Sequence, residues 1–440
     1  MRRGRSELLP GTWTETLGFN GPHLGPTIRL RRGETVQMAV TNQLDEVSTV
    51  HWHGIRLPAR MDGGPHQPIE PGATWTPRWT VDQPAATFWY HPHWQGSTAS
   101  QVYRGLAGLL LVDEPDGPEL PGTYGVDDIP LILQDKRFAP DGSLAGDPLR
   151  GTYGILGDRV LVNGTHDPYL EVTTERVRFR LLNGSNARVY HVRFADRRGF
   201  HVVANDAGLL DTPVEVDEIS LTPAERVEIV ARFTPGETAT LRSVGGATDI
   251  DQGDFDLLQI VAGARLVASP PPDWTSRTPV TTLGARVRRF RLDGHDTING
   301  RRMDLSRIDE VVPAGAREIW EVENGDHTHN FHIHGVSFRV LDVDGAPPPA
   351  HLAGPKDTVH VPKRVTVRLA VRFGHHTDPT APYMYHCHIL RHEDSGMMGQ
   401  FVVVEPGTEE QVSRCLAAAT GPADAPSGRS HSDGTPSPSY

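Results

Sequence analysis

Tyr385-His386-Cys387-His388-Ile389-Leu390-Arg391-His392-Glu393-Asp394-Ser395-Gly396-Met397-Met398 is the stretch on which the reading of the whole chain turns. On an extended strand successive side chains point to opposite faces, so His386 and His388 project one way and Cys387 the other. One short segment can therefore touch two metal centres. Cys387, His392 five residues on and Met397 five further offer a thiolate, an imidazole and a weak thioether. With one more histidine these make a blue-copper site. The missing imidazole is sought in His327-Thr328-His329-Asn330-Phe331-His332-Ile333-His334, where His329 is the natural supplier and His327 its competitor.

Four His-x-His pairs follow from the same spacing: His51 with His53, His91 with His93, His332 with His334, and His386 with His388. Strand spacing turns both rings of a pair to one side. A single pair fits an ordinary packed or exposed strand as readily as a ligand set. Four together point to metal. Imidazole suits copper, zinc and iron alike, and the adjoining cysteine favours copper. Eight imidazoles converging between two domains would hold a cluster of such ions.

Laid side by side, three segments repeat. Asn20-Gly21, Asn163-Gly164 and Asn299-Gly300 each open a turn, and the β-rich runs that follow close at Asn42, Asn183 and Asn324. Next come His51-Trp52-His53, His191-Val192-Arg193 and His332-Ile333-His334. The first and third copies also end alike. Tyr90-His91-Pro92-His93 pairs with Tyr385-His386-Cys387-His388, Gly105-Leu106-Ala107-Gly108 with Gly396-Met397-Met398-Gly399, and both exit into Glu-Pro at Glu114-Pro115 and Glu405-Pro406. Period-2 runs at Thr35 to Val40, Arg176 to Leu181 and Val365 to Val371 read as strands. The expected fold is all-β, three homologous sandwiches spanning 1–115, 120–268 and 280–406. Pro115 to Pro121 and Pro270-Pro271-Pro272 serve as linkers. Residues 407–440, rich in Ser, Pro, Ala, Gly and Asp, are expected to be a disordered tail.

The repeat also limits the metal sites. Where the third copy has Cys387 and Met397, the first has Pro92 and Leu106, neither able to bind copper, so one mononuclear site is expected. Alignment with Leu106 makes Met397 the axial candidate and leaves Met398 to the core. The middle copy carries Arg193 in place of His334 and has no His-Cys-His block, so it is expected to be copper-free, with His191 structural.

At 440 residues the chain exceeds one compact core. Its 37% hydrophobic and 22% charged residues mark a globular protein, and 45 Gly with 37 Pro favour many turns. No run approaches the roughly 20 apolar residues of a membrane span. A net charge of -12 argues against a nucleic-acid surface. Arg286, Arg288, Arg289 and Arg291 are read as one solvated strand edge. With Cys387 a ligand, Cys415 has no partner, so no disulfide is expected and the compartment stays open. Met1-Arg2-Arg3-Gly4-Arg5 looks like the charged start of an export signal, yet no apolar run follows in residues 6 to 30. The basic start therefore reads as a solvated N-terminus; an exported, periplasmic or extracellular protein is expected if a signal was trimmed, and a cytoplasmic one otherwise.

These blocks resemble those of the multicopper oxidases, nearest the three-domain bacterial laccases and copper efflux oxidases, over nearly the whole chain apart from the tail. The resemblance implies three cupredoxin-like Greek-key domains, four copper ions, a small-molecule reductant and dioxygen; a monomer is expected. It implies His329, Cys387, His392 and Met397 as type 1 ligands, His51 and His332 as type 2 ligands, and His53, His91, His93, His334, His386 and His388 for the type 3 pair. Glu393 and Asp62 match family positions implicated in proton delivery. Asn330 departs from the proline many relatives carry, which implies a different loop rim.

The substrate is less legible. Copper efflux relatives carry a methionine-rich segment, whereas the seven methionines here are scattered at 1, 38, 61, 303, 384, 397 and 398. An open type 1 pocket oxidising phenols and aromatic amines is therefore expected, with Asp326 and His327 near the approach. Oxidation of Cu(I), Fe(II) or Mn(II) is the alternative. A copper-free cell-division or scaffold relative would have lost ligands that this chain keeps. A copper nitrite reductase would leave the paired type 3 histidines unexplained.

Overall fold

The asparagines that close the three repeated runs do the same physical job in each copy. Asn42, Asn183 and Asn324 are buried, and each Nδ2 donates to one local carbonyl and one distant carbonyl: Glu46 and Ile69, Arg188 and Leu221, His327 and Val361. A buried amide that satisfies two carbonyls fixes where one strand ends and another begins. Asn20, Asn163 and Asn299 share a left-handed backbone, at φ of 57°, 53° and 54°. Asn tolerates that conformation because its short polar side chain bonds locally. The side chains of Asn163 and Asn299 accept from the amides of Ile132 and Arg291.

The computed structural model describes residues 1–113, 117–276 and 280–416, folded as three successive β-sandwiches. The first has a four-stranded sheet in the order Ile28–Arg31, Gly108–Asp113, Ala86–His91, His51–His53, with the hairpin Arg2–Leu9/Thr12–Gly18 beside it. The second joins a seven-stranded to a five-stranded sheet, and the third pairs two five-stranded sheets. Each fills with its own core: Trp52, Trp79, Phe88 and Leu110 in the first, Phe179, Phe194, Phe200 and Phe233 in the second, Phe290, Trp320, Phe331 and Phe401 in the third. Burying each such side chain contributes roughly 1.5–3 kcal/mol, which offsets the entropy of ordering so many short strands. Cys387 and Met397 belong to the third core rather than to a surface.

Strand pairing places the histidines. His51–His53 lies antiparallel to Ala86–His91 with His51 opposite His91, and His329–Ile333 lies against Tyr383–His386 with His332 opposite His386. Both copies then return on a strand whose glycine accepts a tyrosine ring. A Cβ on Gly108 or Gly399 would come within 2.3 Å of the ring of Tyr90 or Tyr385. Each copy also carries a short helix after its second histidine pair, α1 (Thr98–Tyr103) and α2 (Leu390–Asp394), and the two meet through Ala99, Val102 and Leu390. Ser97 gives α1 no side-chain cap. Asp394 does so from the third sandwich, accepting the amides of Gly96, Thr98 and Ala99 at 2.8, 3.1 and 2.8 Å.

Several expectations change. The strand ends at His386, so Cys387 and His388 sit in irregular backbone, although they still diverge to different neighbours. Thr35 to Val40 breaks into Thr35–Gln37 and Val40–Thr41. The arginine cluster is not uniformly solvated: Arg288 is buried between Glu318 and Glu310, because alternate residues of its strand face inward. Residues 407–416, expected in the tail, dock instead; Val412 and Leu416 pack against Ile308, Val311, Val402 and Val404. Asn330 is no rim residue. It is buried on the strand His329–Ile333. The Glu114-Pro115 exit with the start of its linker, and residues 417–440, lie outside the described residues.

Candidate metal centre

All ten expected histidines and Cys387 are buried, and they gather into separate sets between the first and third sandwiches and within the third. Nε2 of His93, His334 and His386 lie 3.2, 3.2 and 3.1 Å from one another. Their Nδ1 atoms face acceptors: Asp62 Oδ2 at 2.7 Å from His334, the Cys387 carbonyl at 3.1 Å from His386, and Glu393 Oε1 at 3.3 Å from His93. The Nδ1 atoms therefore carry the protons, and three Nε2 lone pairs converge. Atoms spaced 3.1–3.2 Å apart lie about 1.8 Å from their common centre, close to the ~2.0–2.1 Å of a metal–imidazole bond. A cation fits there and would relieve the repulsion of the three lone pairs.

A second set joins His53 Nδ1, His91 Nε2 and His388 Nε2, with His91 at 3.4 Å from each of the others. His53 is turned the opposite way from its neighbours because its Nε2 faces Asp357 Oδ1 at 3.1 Å. Between the two sets, His51 and His332 anchor Nδ1 on the carbonyls of Asp62 and Asp357 at 3.0 and 2.8 Å, and leave Nε2 buried without a partner. Two orphaned, buried nitrogens call for a ligand.

The fourth set is Cys387 Sγ with His329 Nδ1 and His392 Nδ1 at 3.6 and 3.5 Å, the two nitrogens 3.1 Å apart. His392 Nε2 donates to the Thr152 carbonyl at 2.9 Å, which frees Nδ1 for the site. Burial pushes the Cys387 thiol up to about 12, so only a bound cation would hold the thiolate there at neutral pH. Met397 is fully buried, with its amide on the His392 carbonyl and its carbonyl on the Cys387 amide. His327 stays outside the set; its ring lies 4.3 Å from His295. Burial also keeps the imidazoles neutral, His51 and His329 at about 3 and His386 at about 4. Neutral imidazole is the metal-binding form.

This arrangement agrees with the comparisons. Two family models, each described as multicopper oxidase, match residues 1–117 and 272–407. A multicopper oxidase of Staphylococcus haemolyticus is 38% identical over 409 residues, covering 91% of this chain and 87% of that protein. The chain belongs to the multicopper oxidase family. These are copper oxidoreductases that use dioxygen. The laccase-like multi-copper oxidase CueO of a lignin-degrading Ochrobactrum superposes with a TM-score of 0.86 at 38% identity, covering 92% of this chain and 96% of that one. A cell division protein, FtsP of Dickeya dadantii, is likewise 38% identical, over 88% of this chain and 84% of that protein. Overall identity thus does not separate a relative named for oxidation from one named for cell division. The donor sets bear on that.

In this multicopper oxidase the two expected carboxylates sit behind the clustered histidines rather than at a surface. Asp62 holds His334 through Oδ2 and stands 3.5 Å from His51 Nδ1 through Oδ1. Glu393 lies between Nδ1 of His93 and of His386, at 3.3 and 3.4 Å. Burial pushes both carboxyls well above their usual range, for Glu393 with Asp394 adding to it, so each can hold a proton. His191, off the metal sets, bonds Ser220 and Asp251 as a structural histidine does.

Sequence reasoning missed Asp357, Thr358 and Arg226 behind the cluster, and Thr152, Tyr153 and His295 around the Cys387 set. None falls in a repeated motif. Asn330, expected at a loop rim, works inside instead: its Oδ1 accepts the His388 amide at 2.7 Å and its Nδ2 donates to the Pro223 carbonyl at 2.8 Å.

Proposed function

We propose that the chain is a laccase-like oxidase that takes single electrons from phenols or aromatic amines at the Cys387 set and reduces dioxygen to water at the histidine cluster. Four coppers would be held: one by Cys387, His329, His392 and Met397, one by His51 and His332, and a pair by the two histidine triads. When bound they supply the one-electron redox chemistry and the dioxygen site. What supports this most is the placement of Cys387. Its neighbours His386 and His388 enter the two triads separately, so a short run of covalent bonds joins the thiol to both.

The remaining work falls to the protein. Asp62, Asp357 and Glu393 orient the ligand rings through the nitrogens that face away from the sets. Complete burial of the cluster histidines excludes bulk water. Glu393 and Asp62 can pass protons inward because each meets ligand rings and is itself buried. His392 reaches toward the outside through Thr152 and Tyr153, both half-buried, which makes its ring the natural point of substrate contact.

A second reading, oxidation of Cu(I), Fe(II) or Mn(II), is favoured by the rim. The His295 ring stacks 5.4 Å from His392 and 4.3 Å from His327, with the exposed Asp326 beside them. Met384, Met397 and Met398 give it no help, since all three are buried. Copper loading followed by metal count, visible absorption and oxygen uptake decides. The proposal expects four coppers per chain, a blue band, and larger specificity constants for phenols than for metal ions. The reverse order would establish the second reading, and no oxygen uptake with any reductant would remove both.

A further inference from the structure

The middle sandwich donates no ligand, yet one of its arginines ends at the metal cluster. Arg226, on the strand Arg226–Arg232, is completely buried. All five of its N–H donors are engaged: Nε on the Thr87 carbonyl, Nη1 on the Ala224 carbonyl and Asp357 Oδ1, Nη2 on the Asp206 carbonyl and Asp357 Oδ2. Asp357 is thereby gripped through both oxygens, at 2.8 and 2.5 Å. Its Oδ1 faces His53 Nε2 at 3.1 Å, and its carbonyl accepts His332 Nδ1 at 2.8 Å. Thr358 Oγ1 closes the group, 2.9 Å from Asp357 Oδ1 and 3.1 Å from His332 Nδ1. Lys356 pairs with Asp206 and Glu225, and Asp206 also accepts the Arg226 amide.

We infer that Arg226 and Asp357 form a positioning device by which the middle sandwich sets the tautomer of His53. A carboxylate held at Nε2 draws the ring proton to that side and leaves Nδ1 as the only lone pair able to face His91 and His388. An unanchored carboxylate could rotate away, and His53 could then protonate Nδ1 and turn its donor into the site. Arg226 prevents such rotation, and the backbone at Gly54 lies close against the carboxylate it holds. Gly54, next in the chain, has φ of +85°, and a Cβ there would fall 2.4 Å from Asp357 Oδ2.

This rests on the copper cluster proposed above, and the test separates the two. Asp357→Asn and the double variant Arg226→Gln/Asp357→Asn are made in the full chain and compared with wild type by copper titration and by melting of the metal-free protein. Copper per chain, the blue band and the near-ultraviolet absorption of the paired site are followed. The single variant removes the carboxylate that Arg226 grips through both oxygens and is destabilised. The double variant removes both charges and regains melting temperature. Both nonetheless require ~10–100-fold more free copper to fill the histidine cluster, while the blue site fills normally. A double variant that regains both stability and wild-type cluster filling overturns the inference, since the pair would then be a structural ion pair. Failure of both variants to fold overturns it too. A wild-type protein that takes no copper into the histidine cluster overturns the cluster reading itself.

Discussion

Replacing Glu393 with glutamine separates the two half-reactions of the proposed oxidase. The carboxylate lies 3.3 Å from His93 Nδ1 and 3.4 Å from His386 Nδ1, with no solvent exposure. Both rings point Nε2 at the same centre, so both Nδ1 atoms carry hydrogen and face an acceptor. Glutamine fills the same volume but offers one acceptor oxygen. Its amide must point N–H at the N–H of the other ring. The electrostatic approach of the carboxyl to both rings, worth at most about 1.5–3 kcal/mol, is weakened, and the group that can hold a proton is lost. That magnitude corresponds to roughly 10–100-fold in rate. Stopped-flow measurement of Glu393→Gln should show reoxidation by dioxygen slowed by that factor and reduction of the blue site by a phenol unchanged. Equal rates in both half-reactions would refute the placement of Glu393 in the dioxygen chemistry.

Asp394→Ala removes the three-amide acceptor that caps α1 from the opposite sandwich; urea unfolding should show about 2 kcal/mol less stability, and an unchanged midpoint would mean that the clamp carries no load. Glu228, buried in the middle sandwich, bonds Arg178 and Arg180 of its own sandwich and Thr87 of the first. Burial raises its carboxyl, but the two guanidiniums and the hydroxyl prevail and bring it from 4.5 down to about 2. The contribution of about 3 kcal/mol is present above pH 4.5 and lost as pH falls toward 2; Glu228→Gln should flatten the acid limb of the stability curve and lower stability at pH 7. His327→Ala should change the KM for phenols about two- to tenfold and spare the blue band. A lost band would make His327 a ligand.

The clustered histidines and Cys387 were legible because metal chemistry repeats short patterns. Four His-x-His pairs at strand spacing and a cysteine between two of them survive any uncertainty about sheet order. The three-sandwich fold was legible through the Asn-Gly turns and the buried asparagines, whose hydrogen bonds are local enough to leave a spacing in sequence. What supports the rings was not. Asp357 bonds His53 across 304 residues and Arg226 across 131, and no period marks either. Arg288 looked solvated because its neighbours are charged, while the partners that bury it, Glu310 and Glu318, belong to other strands. Val412 and Leu416 were too sparse in a polar segment to announce their docking. Asn330 was read against proline-bearing relatives; only the folded strand shows its amide bridging His388 and Pro223.

The central claim is that one thiol lies between a mononuclear site and a histidine cluster that its own neighbours help to build. A copper-edge anomalous map of the copper-loaded crystal tests it most directly. The account predicts four peaks: one bounded by Cys387, His329 and His392, and three among His51, His53, His91, His93, His332, His334, His386 and His388. Density at the histidines with none beside Cys387, or beside Cys387 with none at the histidines, would contradict it.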